Sequence, residues 1–325
     1  KAMNPMASRW SLYKPDPGLV TQETYDIDRI VAAAPENAYE VEIVSPDEIG
    51  LLVSSSQGHS VFLRGKEADL PDFVIPRMGS TTTYFAMAIL RQLERLGVYC
   101  LNGSQAVELA QDKLFHLQVL AAAGLPVPKT ILVQFPVDPD IVERELGFPV
   151  VVKTLVGTQG SGVYLAEDRE KLMDLLQFVE ANNPAAQLVL QKYMSESRGR
   201  DVRVLSIGGH IVGAMERIAK TGFKSNYSQG GTVKPFAYGP RNEMSVAETM
   251  RVLDMDMAGL DFLYDEEVGF RICEVNSSPG FEGLEQACDV DVAAALFQYL
   301  DVKFRISVKA RARILEQSKK DGPAD

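Results

Sequence analysis

The sequence pattern of residues 259–276, GLDFLYDEEVGFRICEVN, predicts two strands joined by a short hairpin loop, and it is the strongest signal in the chain. If the turn is centred just after Glu267, Asp261 lies directly opposite Glu274. Glu274 and Asn276 are two residues apart, so a strand places both on one face. Cross-strand partners have Cβ atoms about 5 Å apart, so three oxygen ligands are expected to converge.

The chemistry of this face favours a divalent cation. Mg²⁺ takes carboxylate oxygens together with substrate phosphates. Two facing carboxylates repel each other unless a cation bridges them. A solvated hairpin face without a ligand is the alternative interpretation. Together with the motifs below, the pattern predicts a Mg²⁺ site at Asp261, Glu274 and Asn276.

A glycine-rich loop follows an apolar strand in the middle of the chain. The strand is Val150–Lys153, and the loop is GTQGSG at 157–162. Glycines let backbone N–H groups approach phosphate oxygens closely, and Lys153 could neutralise phosphate charge. The loop is not a Walker A loop, because the GKS or GKT that such loops contain is missing. It is not a Rossmann fingerprint either, because it leads into a strand and not into a helix. An ordinary hairpin turn is the alternative interpretation.

Polar groups end the next strands of the predicted order. The apolar strand Leu188–Lys192 ends in polar and aromatic residues and can offer backbone hydrogen bonds to an adenine edge, although most such strands are only core. Arg203 follows Asp201 by two residues, and Arg217 ends the next strand. Together with Lys224-Ser225-Asn226, the two arginines indicate a group of positive and polar side chains that binds phosphate. The alternative interpretation is that the arginines lie on the surface without a ligand.

Composition excludes several classes of function. The 325 residues are 46% hydrophobic and 24% charged, as in ordinary globular proteins. The net charge of -11, from 33 basic and 44 acidic residues, disfavours nucleic-acid binding. No apolar run approaches the ~20 residues of a membrane span, and no signal peptide is apparent. We therefore expect neither a membrane nor a nucleic acid as partner. The spacing of the three cysteines does not suit metal binding, so we expect no zinc site and reduced thiols in a cytoplasmic protein; they are Cys100, Cys273 and Cys288.

Breakers and periodic segments predict an N-terminal part and a longer second part. Residues 1–112 would form a small α/β domain whose first 25 residues are irregular. The second part would run from Leu146 to about Asp301 and combine strands with helices. Residues 302–325 would be a basic tail, either solvated or packed as a terminal helix.

The motifs together resemble the ATP-grasp superfamily, and within it the RimK-like glutamate ligases that modify a ribosomal protein's C-terminus. The matching pieces come in family order over about residues 70–300 and match less clearly before that. They are Val74–Gly79, Leu101–Gly103, Asp112-Lys113, Val151–Lys153 with its loop, Gln191–Tyr193, Gly199–Arg203, Lys224–Asn226 with Gly230-Gly231, and Glu274–Gly283. The resemblance implies an α/β (α+β) ATP-grasp fold with a pre-ATP-grasp N-terminal domain. It also implies three α/β subdomains, because the ATP-grasp domain at 113–301 would divide into a central lid subdomain at about 130–192 and a C-terminal subdomain at about 193–301. The nucleotide would bind between these two, under the loop 157–162 as a lid.

The resemblance also implies residue roles. The nucleotide would be bound by Lys113, Lys153, Gly160, Ser161, Gly162, Gln191, Lys192, Tyr193, Asp201, Lys224, Ser225 and Asn226. The catalytic set would be Arg203, Arg217 and Asn226, and the metal ligands for two Mg²⁺ ions, with Mn²⁺ as a substitute, would be Asp261, Glu274 and Asn276. The substrate would contact Arg77, Lys224, Ser225 and Gly231. The family often has an acidic residue where this chain has Lys192, which matters little if the backbone contacts adenine.

The implied activity is ATP-dependent carboxylate–amine ligation through an acyl phosphate. We expect L-glutamate to be added to the C-terminus of a protein or peptide. The alternative is ligation of free amino acids or other small acids and amines. A closed acceptor mouth favours small substrates, and an open groove favours peptides. A nucleotide-binding regulator and a small-molecule kinase are weaker alternatives. Family members often form tetramers, so a homo-oligomer, dimer or tetramer, is compatible with the resemblance.

Overall fold

The computed structural model describes residues 7–12, 22–37, 39–55, 60–77, 84–154, 162–220, 222 and 231–303. In this part of the chain, no helix is both long enough and apolar enough to span a membrane. The helices described there are α1 (Gln22–Ala33), α2 (Tyr84–Arg95), α3 (Ser104–Gln111), α4 (Phe115–Ala122), α5 (Pro139–Leu146), α6 (Arg169–Asn182), α7 (Pro240–Val252), α8 (Glu282–Cys288) and α9 (292–303).

The N-terminal sheet is parallel, with strand order β2-β1-β6-β7. All four residues of β6 are buried, as expected for a parallel strand covered on both faces. A small antiparallel sheet, β3-β4-β5, lies beside it in sequence. The strands are β1 (Ala7–Leu12), β2 (Tyr39–Val44), β3 (Ile49–Leu51), β4 (Val61–Leu63), β5 (Lys66–Glu67), β6 (Phe73–Pro76) and β7 (Tyr99–Cys100).

The prediction of an irregular first 25 residues is wrong for residues 7–12 and 22–25, and the rest of that stretch lies outside the described residues. Residues 7–12 form β1, which lies between β2 and β6, and α1 already begins at Gln22. Both partner strands lie far along the chain, so the stability of β1 comes from non-local pairing that a local sequence pattern does not contain.

The central sheet is antiparallel, with order β10-β9-β11-β8, and has its own core with α5 and α6. The two helices begin at aspartates, because Asp138 accepts a hydrogen bond from the backbone N–H of Asp140 and Asp168 from that of Lys171, each at 2.9 Å. The strands are β8 (Thr130–Gln134), β9 (Val150–Thr154), β10 (Val163–Ala166) and β11 (Gln187–Lys192).

The third sheet has five antiparallel strands in the order β14-β13-β12-β15-β16. One face packs on α3, α4 and α7. The other face is apolar at Leu205 and Met257, where it shares a core with α1, β6 and α9. The strands are β12 (Arg200–Ile207), β13 (His210–Ile218), β14 (Thr232–Pro235), β15 (Met257–Asp265) and β16 (Gly269–Asn276).

The first and third sheets are therefore joined by one core, whereas the central sheet is packed separately. Ile30, Phe73, Phe281 and Phe297 are buried together in the shared core. The domain limits predicted from sequence stay predictions, but α3, placed in the first domain, packs on the third sheet through Ala106 and Leu109.

Gly208 should be essential to the turn between β12 and β13. Its φ is +62°, and a Cβ there would lie 2.5 Å from Cε2 of Tyr299. We expect Gly208→Ala to lower the free energy of unfolding by about 2–4 kcal/mol, because backbone strain and a ring collision add. Gly65→Ala is the control, since Gly65 also has a positive φ but no atom within 4 Å of the added Cβ. Equal losses in urea titrations of the two variants would contradict this account.

Candidate active site

Charged side chains form one row across the third sheet. Arg203 on β12 pairs with Asp261 on β15, which pairs with Glu274 on β16. The sequence prediction that Asp261 lies opposite Glu274 is confirmed. Along the same strand faces, the charged row directly continues the apolar positions of the shared core. The fold thus carries these charges at the edge of the core, on the face away from α3, α4 and α7.

The predicted pairing arises from a different turn than expected. Asp265 pairs with Gly269, so the loop is centred on Glu267 itself. A β-bulge then shifts the register, because Phe262 pairs with Ile272 while the two candidate metal ligands still pair with each other. Cys273 is the extra residue. The bulge keeps Ile272 in the core and turns Glu274 to the charged face.

Two arginines hold Asp261. Nη2 of Arg203 donates to Oδ2 of Asp261 at 2.7 Å, and Nη2 of Arg217 lies 2.9 Å from the same oxygen. Arg217 also donates to both oxygens of Asp201, at 2.7 and 2.6 Å. Burial would raise the pKa of Asp261, but Arg203 and Arg217 more than offset it and lower the pKa to about 2. Asp261 is therefore ionised at neutral pH.

Lys153 connects the central sheet to the third sheet. Its Nζ donates to Oε1 of Gln191 at 2.8 Å and lies 3.7 Å from Sγ of Cys273. Gln191 is held in turn, because its Nε2 donates to Oγ1 of Thr130 at 3.0 Å. The ammonium group is thus fixed at the junction of the two subdomains, where the resemblance places the nucleotide.

Lys113 and His116 lie within the electrostatic field of the same groups. Burial lowers the pKa of Lys113; the Glu274 carboxylate opposes this and the Lys153 ammonium adds to it. His116 is 1% exposed, and its Nδ1 is 2.8 Å from the carbonyl oxygen of Asp112. Burial lowers the pKa of His116, and the charges of Glu274 and Lys153 act on it too. Lys113 and His116 therefore both lie within electrostatic reach of Glu274 and Lys153.

The donor chemistry fits a hard divalent cation. No cluster of three or more His, Cys, Asp and Glu able to hold a metal occurs among the described residues. The site instead combines two facing carboxylates with the amide of Asn276, two residues beyond Glu274 and next to Gly259 in the pairing. Oxygen donors of this kind suit Mg²⁺ when substrate phosphates complete its coordination. That Lys113 and Lys153 supply the positive charge that such phosphates require stays a prediction.

Other predicted site residues are placed as follows. Lys192 is exposed, and its backbone N–H donates to the carbonyl of Lys129 at 2.9 Å, while Tyr193 is half-buried. Gly162 has a φ of +77°, and its carbonyl accepts from the backbone N–H of Thr154. Gly231 directly precedes β14. Gly160, Ser161, Lys224, Ser225 and Asn226 lie outside the described residues.

Arg77 occupies an unexpected environment. Its side chain is 3% exposed, and Nη2 donates to Oδ2 of Asp26 at 2.6 Å and to the carbonyl of Pro279 at 2.8 Å. Substrate binding by Arg77 stays a prediction, but these contacts favour a structural task. Sequence reasoning gave Asp26 no role. Asn102 belongs to the motif Leu101–Gly103, which carried no role for it, although a polar residue two positions after the strand that ends at Cys100 was a usable signal.

Comparison with known families decides the assignment. A family model described as RimK-like ATP-grasp domain matches residues 110–300, and one described as RimK PreATP-grasp domain matches residues 19–107. The chain belongs to the RimK-like ATP-grasp family. The fold predicted from the resemblance is confirmed, and the chain is an ATP-dependent ligase that forms C–N bonds between carboxylates and amines.

Two curated relatives of this RimK-like chain illustrate the similarity. A probable alpha-L-glutamate ligase of Serratia proteamaculans is 36% identical over 283 residues, covering 86% of this chain and 93% of that protein. One from Citrobacter koseri is 38% identical over 279 residues, covering 85% and 92%.

Solved structures share the fold of the RimK-like chain at low identity. The ATP-grasp ligase PsnB, complexed with a phosphomimetic variant of a minimal precursor, Mg and ADP, has a TM-score of 0.71 at 20% identity, covering 93% of this chain and all (100%) of that one. D-alanine–D-alanine ligase of Bacillus anthracis, complexed with ATP, has a TM-score of 0.64 at 16% identity, covering 94% and 99%.

Proposed function

We propose that this ligase adds L-glutamate to the C-terminal carboxylate of a protein or peptide. The single observation that carries the ligase chemistry is the row of Arg203, Asp261 and Glu274, with Lys113 within electrostatic reach of Glu274. The glutamate is supported by relatives named probable alpha-L-glutamate ligase at 36% and 38% identity. The peptide acceptor is supported by the fold neighbour PsnB, which was solved with a precursor peptide.

The proposed reaction has two steps. An oxygen of the acceptor carboxylate attacks the γ-phosphorus of ATP, so that an acyl phosphate forms and ADP leaves. The amine of glutamate then attacks the acyl carbon, the C–N bond forms, and phosphate leaves while the amine loses a proton. Both steps develop negative charge on phosphate oxygens, so pre-positioned cations lower their barriers.

Side chains of this protein would position the ATP phosphates and neutralise their charge. Lys113 and Lys153 would bind the ATP phosphates, with Lys153 oriented by Gln191. Arg203 and Arg217 would stabilise the transferring phosphate, with their guanidinium groups pre-oriented by Asp201 and Asp261. Bound Mg²⁺, held by Asp261, Glu274 and Asn276, would supply Lewis-acid neutralisation of phosphate charge.

The test incubates the protein with ATP, Mg²⁺, a set of peptides with free C-termini, and each amino acid in turn. Phosphate release would be measured and products read by mass spectrometry. We expect phosphate release and a mass increase of one or more glutamyl residues on a peptide when glutamate is present. Products formed only from free amino acids would contradict the peptide acceptor. Phosphate release with other amino acids but none with glutamate would contradict glutamate as the amine substrate.

The proposal also covers the metal ions and the oligomeric state. We expect two metal ions per nucleotide site and support of turnover by Mn²⁺ in place of Mg²⁺. We also expect a dimer or tetramer in solution. Metal titration in the presence of a non-hydrolysable ATP analogue gives the ion number, and sedimentation gives the assembly. One ion per site, or a monomer at micromolar concentration, would contradict these two expectations separately.

Lys153→Met should weaken nucleotide binding about 10–100-fold, because a hydrogen bond from a charged group contributes about 1.5–3 kcal/mol. The measurement is calorimetric titration with the ATP analogue AMP-PNP. Lys129→Met is the control, since Lys129 is exposed and its Nζ is 3.9 Å from Glu145. An unchanged affinity in Lys153→Met would remove Lys153 from the nucleotide site.

A further inference from the structure

The loop that follows Asn276 lies against the charged row. Ser277–Gly280 turns back so that Pro279 packs on Gly259 of β15. A Cβ on Gly259 would lie 2.7 Å from Cβ of Pro279 and 3.4 Å from Cδ of Arg203. The loop is therefore in close contact with Gly259, which lies two residues before Asp261 and pairs with Asn276.

Asn102 holds the start of this loop from the N-terminal domain. Its side chain is 1% exposed. Nδ2 donates to the carbonyls of Met257 and Ser277 at 2.7 and 2.8 Å. Oδ1 accepts from the backbone N–H groups of Asp256 and Met257 at 2.7 and 3.0 Å. One amide thereby joins the start of β15 to the residue after Asn276, with every donor and acceptor position used.

A buried ion pair holds the end of the loop. Nη2 of Arg77 donates both to Asp26 and to the carbonyl of Pro279. Asp26 is 0% exposed, and its Oδ1 accepts from the backbone N–H of Phe281 at 3.0 Å. The guanidinium of Arg77 also lies 5.8 Å from the centre of the Phe281 ring. Both ends of the loop are thus bound by side chains of the N-terminal domain.

Arg77 and Asn102 come from equivalent places in the first sheet. Arg77 directly follows β6, and Asn102 follows β7 by one residue. These neighbouring parallel strands end at the same sheet edge, where open α/β sheets often bind ligands. Here both side chains instead bind backbone carbonyls of the ATP-grasp domain.

We propose that Asn102 and the Asp26–Arg77 pair are positioning residues that hold Ser277–Gly280, and through it Asn276, in the geometry that binds the catalytic metal. The inference rests on the proposed function of the site, and it assigns a specific task to the N-terminal domain. Hydrogen bonds from a buried charged group are stronger than those between neutral groups, so the Asp26–Arg77 pair favours one conformation of the loop. Groups that orient metal ligands from outside the coordination shell typically change metal affinity about 10–100-fold when removed.

The test measures Mn²⁺ binding by electron paramagnetic resonance, with the full chain and AMP-PNP. The variants are the double variant Asp26→Asn/Arg77→Met, which removes both buried charges together, and Asn102→Ser. We expect Mn²⁺ affinity to fall about 10–100-fold in each, at a temperature where circular dichroism shows native structure. Tyr25→Phe is the matched control: Tyr25 neighbours Asp26 on α1, and its hydroxyl donates to Glu285 at 2.7 Å, beyond the loop.

Each outcome decides one claim. Unchanged Mn²⁺ affinity in the folded variants would overturn the inference and leave the proposed function intact. A raised KM for glutamate with unchanged Mn²⁺ affinity would also overturn it, and would instead make Arg77 a substrate-binding residue. Equal loss in Tyr25→Phe would show a general effect of the interface and overturn the specific positioning. No Mn²⁺–AMP-PNP binding by the wild type would overturn the proposed function, and this inference with it.

Discussion

Glu274→Gln should reduce the rate of ATP-dependent ligation about a thousandfold or more. The substitution keeps the size of the side chain but removes the charge of one of two facing carboxylates. Lewis-acid neutralisation of phosphate charge contributes several kcal/mol, and each 1.4 kcal/mol is a factor of ten in rate. The measurement is phosphate release at saturating ATP over a range of Mg²⁺ concentrations, in which the variant should also need more Mg²⁺.

Glu267→Gln is the matched control for this prediction. Glu267 belongs to the same hairpin, but its side chain is 81% exposed. At the hairpin loop, its Oε2 lies 3.2 Å from Nη2 of Arg271. We expect wild-type rates and an unchanged Mg²⁺ requirement in the control. If Glu274→Gln retained wild-type activity, Glu274 would not be a metal ligand and the two-carboxylate site would be wrong.

Arg217→Met should lower the free energy of unfolding by about 3–5 kcal/mol, because it leaves buried charges without their partner. The side chain of Arg217 is 7% exposed, and its guanidinium contacts both Asp201 and Asp261. Replacing one partner of a buried pair forfeits the attraction while keeping the cost of burying the remaining charge. Urea unfolding followed by circular dichroism gives the difference.

A surface pair of the same type provides the control for Arg217. Arg251 donates to both oxygens of Glu248, at 2.8 and 2.6 Å, but its side chain is 70% exposed. Water replaces such contacts, so Arg251→Met should leave the unfolding midpoint unchanged. Asp201→Asn/Arg217→Met should recover part of the loss, because one unpaired charge is gone. Equal midpoints for Arg217→Met and wild type would contradict the burial of this network.

Local pattern was enough to predict many elements. The continuous apolar run of Val150–Lys153 and the amphipathic segment Ser104–Gln111 both appear as the strand and helix that they indicate. The pairing of Asp261 with Glu274 also followed from spacing. In each case, the decisive information lies within a few residues along the chain.

Long-range contacts account for what sequence reasoning missed. The hairpin prediction reached the right pairing with the wrong turn, because the bulge at Cys273 depends on packing of Ile272 in the core. The buried state of Arg77 depends on Asp26, which is 51 residues away along the chain. Asn102 bonds to residues more than 150 positions away. No spacing rule within one segment contains these partners.

Transfer of oxygen from the acceptor carboxylate to phosphate distinguishes ligation through an acyl phosphate from any other route. A peptide whose C-terminal carboxylate carries ¹⁸O would be incubated with the protein, ATP, Mg²⁺ and glutamate, and the released phosphate analysed by mass spectrometry. We expect each phosphate released by ligation to contain one oxygen from the carboxylate. Ligated peptide together with phosphate free of ¹⁸O would contradict it, since the carboxylate would then never have been phosphorylated.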